Sequence, residues 1–249
     1  MALTQEDLDF MQEESEQKIA DQSASFGKNP IDFMIKYTRG EVGKGADAIK
    51  RFGEEVDALN RNDAVSAKYR DEKIQEKRTA VEDRIDKMAA RIEDKIQRAV
   101  TAAEKRAALP EIPAAEEALI AQVSAQDIEA RQPEQWMELY EETARAGDRV
   151  KLSHLRRLLD PRMADQSAAW EMRKLKHRTA EEVSRDETLA AAESLRAQLP
   201  AIAVHFKSYL KDVKSIHEFI EMDALLNETE GNTRRAASEV SAQWKAINA

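Results

Sequence analysis

The chain has 249 residues, no cysteine, 35% charged residues and a formal net charge of -9. These totals exclude disulfides, thiolate metal sites and cysteine nucleophiles together, and they argue against unspecific attraction to nucleic acid. Hydrophobic residues reach 42% but aromatics only 5%. Much of the apolar share is alanine, a strong helix former and a poor core filler, which suits long helices better than an enzyme built around a deep pocket.

The opening stretch, MALTQEDLDFMQEESEQK, is acidic and broken by charges, unlike a secretory signal or a transit peptide. No stretch approaches the roughly 18–20 apolar residues needed to span a bilayer, so a soluble, cytoplasmic protein is expected. Thr4 and Asp7 resemble a capping box, with Leu8, Met11 and Ile19 at helical spacing, which predicts a first helix over 4–22. Asn29-Pro30 opens a second helix with Ile31, Met34 and Ile35 on its apolar face. Gly40, Gly43 and Gly45 are expected to break it, before a third short helix carrying Ile49, Phe52, Val56 and Leu59. Residues 1–62 thus read as acidic N-terminal helices around a glycine-rich turn. Gly40 to Gly45 superficially suggests a phosphate-cradling loop. However, Thr38 stands where that motif needs a glycine, and Gly45 stands where it needs Ser or Thr.

Residues 63–109 predict one long helix. It contains an eleven-residue repeat written three times without a gap: RDEKIQEKRTA, VEDRIDKMAAR and IEDKIQRAVTA, from Arg70 to Ala102. The fifth position is always isoleucine (Ile74, Ile85, Ile96), the second always acidic and the fourth always basic. Eleven residues make about three α-helical turns, so equivalent positions share one face. The resulting stripe holds Ile74, Val81, Ile85, Met88, Ile92, Ile96 and Val100. Asp83–Lys87 and Asp94–Arg98 are acid-before-base pairs at i,i+4, each contributing about 0.2–0.5 kcal/mol to helix stability. Pro110 and Pro113 end the rod.

Beyond the prolines, residues 110–231 read as a bundle or hairpin region. Leu119, Ile120 and Val123 belong to a helix near 114–130, and Pro133 to Gly147 holds the next, with Trp136, Leu139 and Tyr140. Val150 to Leu159 follows, stopped by Asp160-Pro161. A longer helix is expected from Met163 towards Pro200, and another from Ile202 to a stop before Gly231. Residues 232–249 form a C-terminal docking helix, with Val240, Trp244 and Ile247 at i, i+4, i+7 and Trp244 as its anchor. Pro133 to Pro161, with Trp136, Leu139, Gly147 and Asp148, resembles a single tetratricopeptide-type hairpin in part of its rhythm. Leu152 stands where that family expects a small residue, the closing proline comes early, and there is no second copy, so the segment is read simply as a helical hairpin.

No cofactor or metal is implied. The residues three before His154, His177, His205 and His217 are Lys151, Lys174, Ile202 and Lys214, so the Glu-x-x-His motif of helical metal sites is absent each time. The fold class expected is all-α and elongated, one long hendecad helix plus a multi-helix region, forming an oligomeric coiled coil. The function expected is non-enzymatic: a scaffold, assembly factor or structural subunit, including one of viral origin. It would act through helix–helix contacts with protein partners and with copies of itself, and take no small-molecule substrate. The two seams named above, on the rod and at the C-terminus, are the candidate interaction residues. A lipid-surface amphipathic helix is the first alternative, disfavoured by a narrow stripe bordered by acids as often as bases. A nucleic-acid-associated factor is the second, disfavoured by balanced charge without interleaved aromatics.

Overall fold

A computed structural model of the chain describes residues 29–211 and 221–248. The helix expected over 4–22, and His217, lie outside them. Among the described residues the protein is all-helical: eight α-helices, two short 3-10 turns and no strand. The helices are α1 (Pro30–Arg61), α2 (Ala67–Ala107), α3 (Ala114–Glu129), α4 (Trp136–Arg145), α5 (Arg149–Leu159), α6 (Ser167–Lys176), α7 (Ala180–Lys211) and α8 (Glu221–Asn248).

The chain divides into two compact units, neither of them a single run of sequence. The first takes the residues up to Ala103 together with Glu187–Ser238, and the second takes Glu104–Asp186 and the residues from Glu239 onward. In the first, α1, α2, α7 and α8 enclose one aliphatic core. Met34, Val42, Ile49, Phe52 and Val56 of α1 meet the α2 stripe, with Leu195, Leu199, Ile202 and Phe206 of α7 and Leu226 of α8. Charged pairs tie the same helices at their edges: Lys77 to Glu55 at 2.8 Å, Arg196 to Glu93 at 2.8 Å, Lys207 to Asp86 at 2.7 Å and Arg234 to Asp32 at 2.7 Å.

The second unit is smaller and richer in aromatics. The α4–α5 hairpin turns at Gly147, whose φ of 74° lies in the left-handed region that favours glycine. Asp148 then caps α5, accepting a hydrogen bond from the Lys151 amide at 2.9 Å. α3 lies against α5, with Lys151 donating to Asp127 at 2.6 Å. Ile128, Leu139, Tyr140, Leu152, Leu155, Leu159, Met163 and Trp170 make its core.

Five expected boundaries are corrected. Gly40, Gly43 and Gly45 do not break the helix; they lie inside α1, whose buried stripe continues in phase through Thr38, Val42, Gly45 and Ile49. Each interior glycine costs about 1 kcal/mol, whereas burying Ile49, Phe52 or Val56 returns about 1.5–3 kcal/mol. Pro200 does not end a helix either: α7 runs through it. The proline itself is exposed while its neighbours Leu199, Ile202 and Phe206 are buried, so packing offsets its missing hydrogen bond. Gly231 likewise lies within α8, so the C-terminal helix is not separate. Conversely, the long helix expected from Met163 is interrupted at His177–Thr179. There Thr179 and Glu182 form a reciprocal capping box: the Glu182 amide donates to Thr179 Oγ1 at 3.2 Å, and the Thr179 amide donates to the Glu182 carboxylate at 2.8 Å. The rod is also shorter than 63–109. Asn62 to Ser66 form the turn from α1 into α2, with Ser66 Oγ accepting from the Tyr69 amide at 3.3 Å.

Candidate interaction surfaces

The eleven-residue stripe lies inside the first unit. Val81, Ile85, Met88, Ile92, Ile96 and Val100 are buried and Ile74 is half-buried against the same cluster. The aliphatic face of α2 is therefore covered by α1 and α7 of its own chain. Asp94–Arg98 forms as expected at 3.0 Å. The helices approach closely at Gly45, where a Cβ would stand 2.9 Å from Met88 Sδ and 3.3 Å from Phe206 Cζ.

Beside that contact sits Glu41, 3% exposed, accepting from Lys44 Nζ and Arg91 Nε at 2.6 Å each. Burial alone would raise its pKa, but the two hydrogen bonds and the charges behind them outweigh it and hold the carboxyl below its ordinary value. Lys44, the lysine of the glycine-rich stretch, is thereby paired in the middle of a helix, which is not the strand-to-helix loop that cradles phosphate.

In the second unit Tyr140, Trp170 and His177 gather around Arg156. Arg156 Nε donates to the Tyr140 hydroxyl at 2.7 Å, and its other nitrogens donate to Glu182 at 3.1 Å and to the His177 carbonyl at 3.4 Å. Tyr140 meets Trp170 edge-on at 4.8 Å, and Trp170 Nε1 donates to Asp160 at 2.6 Å. Burial pushes the Tyr140 phenol above its ordinary pKa. Burial first, then the charges of Lys176, Arg173, Arg156 and Arg145, lowers that of His177. Tyr140 and Trp170 are fully buried and their polar atoms are engaged, so they fix the packing of α4, α5 and α6, while His177 Nε2 is buried without a hydrogen-bond partner among the described residues. Sequence reasoning missed this cluster; its one local signal is the Thr179-x-x-Glu182 cap that brings Glu182 to Arg156. His154 lies 3.9 Å from Glu117 and His205 packs edge-on against Tyr209. Among the described residues no group of three His, Asp or Glu side chains could hold a metal.

Two faces carry apolar residues at helical spacing that their own unit leaves at least partly uncovered. On α3, Ala115, Ala118, Leu119, Gln122 and Val123 lie at i, i+3, i+4, i+7, i+8 and are all exposed, Leu119 at 59% and Val123 at 38%. This face carries no charge, while Ser124 and Ile128 supply the buried side of the same helix. At the C-terminal end of α8, Val240, Trp244 and Ile247 are half-buried, and Trp244 Nε1 is shielded without a hydrogen-bond partner among the described residues. No described helix is long and apolar enough to cross a membrane.

No family model matches the chain, and no curated protein or solved structure matches it either.

Proposed function

We propose that the protein is a non-enzymatic helical scaffold or assembly factor that works by binding protein chains, copies of itself included. The observation that carries this reading is the uncharged α3 face, where Leu119 and Val123 stay exposed in a chain that is otherwise 35% charged. Exposed apolar residues in register on one helix face are the form that helix–helix recognition takes, read as anchors at i, i+4 and i+8. The α2 stripe and the Trp244 face serve a different purpose in this reading: one holds the first unit together, and the other adds a half-covered apolar rim. The lipid-surface alternative loses its main support, because the α2 stripe is covered by α1 and α7.

The test is the double variant Leu119→Asp/Val123→Asp, followed by light scattering over a concentration series and by cross-linking. Association of the wild-type chain should weaken by tenfold or more, with helicity and melting temperature unchanged. Unaltered association would overturn the assignment to α3.

A further inference from the structure

A threonine hydroxyl buried inside a helix can be satisfied by the carbonyl one turn back, and α8 shows this twice. Thr229 Oγ1 donates to the Leu225 carbonyl at 2.8 Å, and Thr233 Oγ1 donates to the Thr229 carbonyl at 2.7 Å. Thr38 of α1 departs from the pattern. It is 2% exposed, and its hydroxyl is buried with no hydrogen-bond partner among the described residues. A buried hydroxyl is costly when left unpaired, so what surrounds it matters.

Thr38 lines a cavity of about 10 Å³ inside the first unit, where α1, α7 and α8 meet. Ile35, Leu195 and Leu226 form its apolar wall, and Thr229 and Glu230 join Thr38 on its polar side. Arg39 completes the lining, donating to Glu230 at 3.2 Å and to Asn227 at 3.3 Å. That volume is about what one water needs and is far too small for an organic ligand. The polar atoms suit a water too. The Thr38 hydroxyl can donate or accept, and Thr229 Oγ1, whose proton goes to Leu225, still has a lone pair to offer. The Glu230 carboxylate accepts from Arg39 and, at 3.1 Å, from Arg234 Nε, and retains further acceptor capacity. Cavities that stay dry are apolar throughout, whereas a buried water makes two to four hydrogen bonds to groups of this kind.

We propose that this cavity binds one ordered water, held by the Thr38 hydroxyl and the Glu230 carboxylate. Thr38 belongs to α1, and Thr229 and Glu230 belong to α8, so the site is a water-bridged joint between those two helices. Such a bridge is enthalpically close to a direct hydrogen bond.

The experiment is a high-resolution crystal structure of the full chain, paired with thermal melts of the wild type and Thr38→Val. Valine keeps the shape of the side chain and removes only the hydroxyl's hydrogen bonding. The expected result is density for one water within hydrogen-bond distance of Thr38 Oγ1 and the Glu230 carboxylate, with the variant melting roughly 2–4 °C lower, the shift for about one hydrogen bond in a chain of this size. A variant that melts at the wild-type temperature or above it overturns the proposal, because the hydroxyl would then have had nothing to lose. So does density that turns Thr38 Oγ1 onto the Met34 carbonyl with no water beside it, which would make Thr38 a third case of the α8 pattern.

Discussion

Helices α2 and α3 follow one another in the chain and invert the simple rule that apolar residues go inside. α2 is densely charged, yet each large aliphatic from Val81 to Val100 is buried. α3 has charges only near its ends, at Glu116, Glu117, Asp127 and Glu129, yet Leu119 and Val123 face outward. The difference is register. In α2 the aliphatics recur every three or four residues over many turns, so one line of contact with α1 and α7 covers them all. In α3 the apolar residues surround the helix, so no single neighbour can cover them. A patterned polar helix is completed within its own chain, and an unpatterned apolar one is left with surface to offer.

The largest effect that would break this comparison is a charge in the α2 stripe. Ile92 is fully buried, and Ile92→Asp should cost about 4 kcal/mol or more, since an unpaired carboxylate must be desolvated in the core or the first unit must open. Leu119→Asp should change stability by only about 0.5 kcal/mol or less. Urea unfolding of both variants decides the matter: comparable losses would mean that α3 is covered after all.

The second unit tests whether its core depends on polar contacts as the first does on aliphatic ones. Tyr140→Phe keeps the ring against Trp170 but removes the acceptor of the 2.7 Å hydrogen bond from Arg156 Nε. The loss should be about 1–3 kcal/mol, the cost of leaving a buried donor unsatisfied. A melting temperature equal to the wild type would show that water replaces the hydroxyl.

Much of this contrast could be read from the sequence, and most of the misplaced boundaries share one cause. The α2 seam was legible because its period is a property of the chain alone. Whether the seam pairs within or between chains was not legible, because the stripe of α1 that covers it is interrupted in the sequence by Gly40, Gly43 and Gly45. Those glycines, Pro200 and Gly231 are local penalties of about 1–3 kcal/mol that distributed burial overrides. The break at His177–Thr179 has the opposite character: no Gly or Pro marks it, but Thr179 and Glu182 spell a capping box that could have placed it. The exposure of Leu119 was not legible, because it depends on which face of α3 lies against α5. The Tyr140–Arg156–Trp170 cluster was not legible either, because it assembles residues from three helices.

A smaller effect sharpens the role of Glu41, the one buried carboxylate among the described residues of the first unit. Glu41 has a folded-state pKa below the ordinary 4.5, so the folded protein binds this proton less readily than the unfolded chain. Its contribution is therefore fully present above the ordinary carboxylate range and is lost as pH falls through the lower, folded value. Glu41→Gln should be less stable than the wild type at neutral pH, and the gap should narrow on acidification towards about pH 3, below the reference carboxylate values. A gap that is constant with pH would mean that Arg91 and Lys44 contribute through geometry and not through charge.

The smallest expected effect separates the glycines that α1 needs from those it merely tolerates. A Cβ at Gly40 or Gly43 would meet nothing within 4 Å, whereas one at Gly45 would press on Met88 and Phe206. Both open positions are helical, so Gly40→Ala and Gly43→Ala should each stabilise the protein by about 0.5–1 kcal/mol, through the unfolded chain's lost freedom and better helix propensity. Gly45→Ala gains the same propensity but must displace the Met88 thioether, so it should fall below the other two, and Gly45→Val should be destabilising outright. Thermal melts of the four variants rank them. If Gly45→Ala matches Gly40→Ala, the close approach of α1, α2 and α7 has slack; if Gly40→Ala destabilises, the residue is needed for something other than the helix.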